Sequence, residues 1–244
     1  MLLLLGGTGE ARALAARLHP NVDILSSLAG RVPDPALPVG PVRIGGFGGT
    51  VGLRNWLRDN DVTAVVDATH PFAATITAHA AAACADLGVP HLVLSRPAWD
   101  AAGAIEVTSD IHAAEHVAAK EYSRVFLTSG RSGVAAFVDN EAWFLIRVVT
   151  PPDPHSLPRA HEVLLSRGPY GYAEERALMA RHGIEAVVTK NSGGDMTRAK
   201  LQAAQDLGVD VLMIPRPLLP PGVTVVGSVD EAADWVLSRD NDEA

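Results

Sequence analysis

The sequence predicts an α/β protein of two tandem Rossmann-like domains, each a parallel sheet flanked by helices, with a ligand cleft between them. Three observations predict it. Short apolar runs alternate with glycine-rich turns and segments of helical period. The runs, such as LLLL and AVV, are continuously apolar, as strands of a parallel sheet buried on both faces must be. The second half of the chain also repeats the first: DLGVPHLVLSRP (Asp86–Pro97) matches DLGVDVLMIPRP (Asp206–Pro217), offset by 120 residues. VTSDIHAAEHV and VGSVDEAADWV, VVDATH and VVTKNS, and LLLGGTGEARAL and VFLTSGRSGVAAF keep nearly the same offset.

The elements follow in order. Leu2–Leu5 is the first strand, and GGTGEA leads from it into the helix-period ARALAARL. Val22–Ser26 is the second strand and Val42–Ile44 the third, followed by GGFGG and a helix over Leu53–Asp59. Thr63–Val66 is the fourth, followed by DATHPFA and a long alanine-rich helix; His91–Leu94 is the fifth. Strands alternating with helices imply right-handed parallel crossovers. The repeat places a cofactor-binding domain at residues 1–120 and a substrate domain at 121–244, joined near Ala119–Ser123. The strand–helix units near 104–120 and 222–239 each follow a proline-containing loop. Either unit can pair within its own half or exchange into the other.

Composition narrows the function. The net charge of −8 argues against a nucleic-acid-binding or membrane-surface protein. The acidity collects at the end: six acidic residues and one basic residue follow Pro217, whereas Glu121 to Pro217 holds eleven of each. The rest of the surface can therefore hold a local basic site. The one cysteine, Cys84, excludes an internal disulfide and fits a reducing cytoplasm. No apolar run approaches the roughly 20 residues of a membrane span, and MLLLLGG lacks the basic flank of a signal peptide. No H-E-x-x-H or C-x-x-C spacing suggests a metal, and neither a nucleophile elbow nor a phosphate-binding lysine loop is present.

Ligands of doubly wound sheets lie beyond the carboxyl ends of the strands, which is where the polar turns fall. In GGTGEAR, Gly6, Gly7 and Thr8 permit close backbone approach to a pyrophosphate at a helix N-terminus, and Glu10 stands in the first helical turn. The motif is not a full G-x-G-x-x-G, so a plain tight turn explains it as well. The second strand ends in Ser26 and Ser27, with Gly30 and Arg31 after it, where an NAD-binding half carries Asp or Glu. Hydroxyls and a guanidinium suit a 2′-phosphate, and so NADPH. Gly46 and Phe47 of GGFGG offer another bare loop, and Thr69 and His70 stand after the fourth strand, where either can instead cap the helix. In the second half, Arg131, Arg167, Lys190 and Lys200 fall near strand ends or first helical turns. Lys190 with Asn191, Ser192, Gly193 and Gly194 makes a turn suited to carboxylate or phosphate oxygens.

These motifs together, LLLLGGTGEARALAARL, SSLAGR, GGFGG, VVDATHPFA, FLTSGR, RGPY and TKNSGG, resemble the precorrin-6A reductase family of corrin-ring (vitamin B12) biosynthesis over nearly the whole chain. The resemblance implies NADPH-dependent reduction of the C18=C19 bond of the macrocycle, giving precorrin-6B. The anaerobic relative that acts on the cobalt-containing ring is the alternative. It also implies a carboxylate-edged tetrapyrrole as ligand and neighbouring pathway enzymes as partners. A hydride and a proton must be added, and His70, Tyr170 or a water are the candidate proton donors. A non-catalytic nucleotide-binding module remains a second reading, while a sugar-nucleotide epimerase lacks its Tyr-x-x-x-Lys helix here.

Overall fold

The computed structural model describes residues 1–30 and 35–242. The chain opens with strand β1 (Leu2–Leu5), helix α1 (Gly9–Leu18), β2 (Ile24–Leu28) and β3 (Val42–Ile44). Helix α2 (Gly49–Asp59), β4 (Ala64–Asp67), α3 (Ala74–Leu87) and β5 (His91–Leu94) follow. Next come β6 (Ile105–Glu106), α4 (Asp110–Ala119), β7 (Arg124–Leu127), a 3-10 segment (Arg131–Phe137), β8 (Trp143–Val148) and β9 (Ala160–Leu165). Helix α5 (Tyr172–His182), β10 (Ala186–Lys190), α6 (Ala199–Leu207), β11 (Asp210–Ile214), β12 (Thr224–Val226) and α7 (Val229–Asp242) complete it.

Two compact units result, one of residues 1–97 with 217–244, the other of residues 98–216. The first unit holds a sheet in the order β12-β5-β4-β1-β2-β3 with every pair parallel. Leu2 and Leu4 of β1 face a layer with Leu14, Leu18, Ala233 and Val236, from α1 and α7. Leu3 and Leu5 face the opposite layer with Leu53, Leu57, Ala80 and Cys84, from α2 and α3. Alternate residues of one strand thus serve two cores, which is why LLLL is apolar throughout. Thr8 caps α1 by accepting from the Ala11 N–H, and its hydroxyl donates to the Ala68 carbonyl at 2.7 Å. That bond ties the turn after β1 to the turn after β4.

The second unit holds a parallel sheet in the order β6-β11-β10-β7-β8-β9. Phe126, Leu145, Val187, Met179 and Ala203 form one of its core layers, where α5 and α6 cover the sheet. After β7 the counterpart of α1 is a 3-10 segment. Gly133 lies there so close to Ser129 and Asp110 that a Cβ would come within 2.4 Å of one and 2.2 Å of the other.

The division at residue 120 is corrected. β12 pairs with β5 (Thr224↔Leu92, Val226↔Leu94), and β6 pairs with β11 (Leu212↔Ile105). Residues 104–120 therefore belong to the second sheet and 222–239 to the first. The physical reason is the repeat itself. The edge strands HLVL and VLMI, and the units VTSDIHAAEHV and VGSVDEAADWV, are alike enough to fit either edge.

Candidate functional site

In the first unit the polar turns lie at the carboxyl ends of β1, β2, β3 and β4. Gly6 N–H donates to the Ser27 carbonyl at 2.9 Å, closing the turn after β1 onto β2. Gly7 has φ +113°, and a Cβ there would meet nothing within 4 Å. The backbone is bare outward, as close approach to a ligand requires. Glu10 is not free in the first turn of α1. It binds Arg96, which follows β5, at 2.8 Å.

The strand β2 runs to Leu28, two residues beyond the expected end, so Ser26 and Ser27 lie inside it. The assignment of Ser26 to the cofactor is corrected accordingly. It is 2% exposed, and its enclosed hydroxyl has no partner among the described residues. Ser27 faces the other way and accepts from Arg43 Nη1 at 2.8 Å. Gly30 has φ +73°, and Arg31 lies outside the described residues.

Arg43 is the residue that sequence reasoning missed. Besides Ser27, its guanidinium donates to the carbonyls of Gly45 and Gly46, each at 3.1 Å, and lies 3.9 Å from the Phe47 ring centre. Phe47 in turn packs edge-on against Trp56 of α2. One side chain thereby fixes the GGFGG loop onto the end of β2. The available signal was a lone arginine in the short strand VRI directly before the glycines.

At the end of β4, Asp67 is 1% exposed. Its Oδ1 accepts from the Thr69 N–H at 3.0 Å and the Thr69 hydroxyl at 2.6 Å, while Oδ2 has no partner among the described residues. Thr69 is thus held by Asp67 in a local turn. His70 is exposed, and its Nδ1 accepts from the Phe72 N–H at 3.2 Å. That bond places the ring proton on Nε2.

In the second unit, Lys190 ends β10 and pairs with Asp110 at the start of α4, Nζ to Oδ2 3.2 Å. Arg131 and Arg167 are exposed after β7 and β9. Gly193 and Gly194 have φ of +66° and +69°, left-handed values that allow the chain to reverse beside Lys190. Ser192 donates its N–H back to the Lys190 carbonyl at 2.7 Å. Arg216 braces the turn through the carbonyls of Asn191 and Ser192, at 2.9 and 3.1 Å.

Two expected ligand contacts in this unit are corrected. The Asn191 side chain is spent on the backbone of Trp99: Oδ1 accepts from Trp99 N–H at 2.9 Å, and Nδ2 donates to the Trp99 carbonyl at 3.0 Å. Lys200 is 4% exposed and turned inward, its Nζ 4.8 Å from the centre of the Trp99 ring. Beside it Arg147 and Glu175 make a buried two-pronged ion pair, Nη2 to Oε2 2.8 Å. Tyr170 lies with its ring 3.7 Å from the Arg147 guanidinium, and its N–H donates to the Met196 carbonyl at 3.1 Å.

Chemically, the first unit offers glycine-bared backbone and hydroxyls at a helix N-terminus, and the second offers cations on a braced turn. Among the described residues no group of three or more His, Cys, Asp or Glu could hold a metal ion, and no helix is long and apolar enough to cross a membrane.

Comparison with known proteins follows the same lines. A model of the precorrin-6x reductase CbiJ/CobK family matches residues 1–237. A precorrin-6A reductase of Mycobacterium tuberculosis is 67% identical over 235 residues, 96% of each chain. One of Rhodococcus erythropolis is 52% identical, again over 96% of each chain. A solved structure of CobK precorrin-6A reductase superposes with a TM-score of 0.88 at 37% identity, covering 97% of this chain and 96% of that one.

Proposed function

From the premise that the chain belongs to the CbiJ/CobK precorrin-6x reductase family, we propose that it reduces the C18=C19 bond of precorrin-6A with NADPH. The observation that carries the reading is the division of chemistry between the carboxyl ends of the two sheets. Glycine-bared backbone lines one, and Lys190, Arg131 and Arg167 stand at the other. The residues present fit a dinucleotide. At Gly7, Gly46 and Gly48 a Cβ would meet nothing within 4 Å, leaving a bare backbone cradle around the Thr8 cap and Phe47. Gly6, Gly7, Thr8, Ser27, Gly30, Gly46, Phe47 and Thr69 would hold the cofactor, with Arg31 at its 2′-phosphate. When bound, the nicotinamide supplies the hydride.

The protein's part is positioning and charge. Lys190, Arg131 and Arg167 hold the macrocycle carboxylates, and the net charge of −8 makes such local cations necessary. Gly193 and Gly194 let the ring edge approach the backbone. His70 is a hydrogen-bond donor through Nε2. As an imidazolium it could no longer accept from Phe72, so Tyr170 is the better source of the proton. The buried thiol of Cys84, pushed up to about 12 by burial and by Asp67, stays protonated and takes no part in the chemistry.

The experiment is the oxidation of NADPH and of NADH, each with precorrin-6A and with cobalt-precorrin-6A. Turnover with NADPH and the cobalt-free ring is expected to be fastest. Turnover confined to the cobalt ring would replace the substrate, and binding of NADPH without any turnover would support the non-catalytic reading. Arg31→Ala is expected to weaken NADPH by about 1–3 kcal/mol, the scale of a charged hydrogen bond, and to spare NADH. Equal losses would remove Arg31 from the 2′-phosphate.

A further inference from the structure

The buried side of α6 carries a charge that the proposed chemistry does not use. Lys200, Arg147 and Glu175 are all under 10% exposed, at 4%, 7% and 2%. Arg147 and Glu175 balance each other through their two-pronged pair. Lys200 is the surplus cation, with Arg147 and Glu175 the charged groups that face it from β8 and α5, and Trp99 beneath its ammonium. A methionine would fill most of the same core space without the cost of desolvating an ammonium. What the lysine adds is electrostatic, and the ring it lies against is that of Trp99.

Trp99 is the residue that holds the turn after β10. Its backbone makes two hydrogen bonds with the Asn191 side chain, at 2.9 and 3.0 Å, and its indole N–H donates to the Gly194 carbonyl at 2.6 Å. Both ends of the turn therefore hang on one tryptophan, and that tryptophan's ring rests on one buried ammonium. We propose that Lys200 is a positioning residue: seated under the Trp99 ring, it sets the geometry of the Asn191–Gly194 turn and through it the grip of that turn on the macrocycle. The inference rests on the assignment of this turn to the macrocycle. Burial, with Arg147 adding to it, lowers the ammonium to about 7 against the opposing pull of Glu175. The prop therefore changes charge near neutrality.

The test is Lys200→Met, which keeps an unbranched stem one atom shorter and removes the charge. The emission of Trp99, taken as wild type minus Trp99→Phe, is expected to titrate near neutrality and to lose that step in Lys200→Met. The KM for the macrocycle is expected to rise about tenfold, the scale of one lost cation–π contact, and to lose a pH-dependent step. The KM for NADPH should stay unchanged. A merely structural lysine would lower Tm without moving either pH profile. Wild-type macrocycle KM and pH profile in Lys200→Met, with Lys190→Ala still raising KM, would overturn the inference. If neither variant moves the macrocycle KM, the turn does not hold the ring, and the reading beneath the inference falls with it. Should Lys200→Met fail to fold, Trp99→Phe decides. It loses the bond to Gly194 and is expected to raise the same KM, and an unchanged KM overturns the proposal.

Discussion

Lys190 is held at the end of a buried strand by the carboxylate of Asp110. Its pair with Asp110 is only 15% and 23% exposed, so water screens it less than a surface pair. An ammonium fixed in this way meets a ligand carboxylate with its rotamers already chosen. Lys190→Ala should raise the macrocycle KM about tenfold or more, the scale of one charged hydrogen bond, and leave kcat near wild type, because the contact is present before and during reaction. Steady-state kinetics with each substrate varied at fixed ionic strength checks it; a loss confined to NADPH would move the turn to the cofactor. Tyr170 makes the opposite claim. Its phenol can give a proton only in the reaction step, so Tyr170→Phe should lower kcat on the order of 100-fold with little change in either KM. Unchanged kcat would leave water as the donor. The sequence made these positions legible because each follows an apolar run, Lys190 two places after Val188 and Tyr170 five places after Leu165. It could not show that Asn191 is spent on Trp99, 92 residues away, or that Lys200 turns inward. Whether a polar side chain at a strand end faces a ligand or a neighbour is decided by contacts distant in sequence.

The elements show how such contacts are arranged. Helix α2 was expected from Leu53 but starts at Gly49, because Gly48 and Gly49, at φ +81° and +80°, turn the chain into the helix inside the glycine run. That brings Gly52 onto the loop: a Cβ there would lie 1.8 Å from the Phe47 carbonyl oxygen. Contact at that distance is impossible, and the obstacle is backbone, which cannot swing away as a side chain can. Gly52→Ala should therefore displace Phe47 and release the carbonyls that Arg43 holds. The expected cost is about 1–3 kcal/mol of stability, as for overpacking, together with a rise in the KM for NADPH that exceeds any rise for the macrocycle. Thermal unfolding and cofactor-varied kinetics read the two effects. If both KM values rise together, the loop does not belong to the cofactor. Period and composition announced the helix, since LRNWLRD is amphipathic. They did not announce its first turn, because glycine is a poor helix former and its use here depends on the loop packed against it.

At the scale of the whole molecule, the repeat was legible and its partition was not. A duplicated strand–helix unit carries the same apolar pattern wherever it docks, so pattern alone fits either sheet edge. The pairing of β12 with β5 and of β6 with β11 has a consequence for folding. Residues 98–216 form one unit from a continuous stretch of chain, whereas the other unit needs both chain ends. Ala232, Ala233 and Val236 of α7 are at most 3% exposed and pack with Leu14, Leu18 and Leu92. A fragment ending at residue 120 would lose those contacts and leave α1 alone to cover that face of the β1–β5 sheet. It would also carry β6 and α4 without the β11 edge they pair with. Removing large apolar contacts of this kind costs several kcal/mol at a few positions, comparable with the whole stability of a domain. A fragment of residues 98–216 is therefore expected to unfold cooperatively in denaturant, and a fragment of residues 1–120 to show no cooperative transition. Fusing 217–244 to 1–97 through a short flexible linker should restore one. Circular dichroism across a urea series measures all three. A cooperative transition in 1–120, with none in 98–216, would return β6 and α4 to the first unit and refute the exchange.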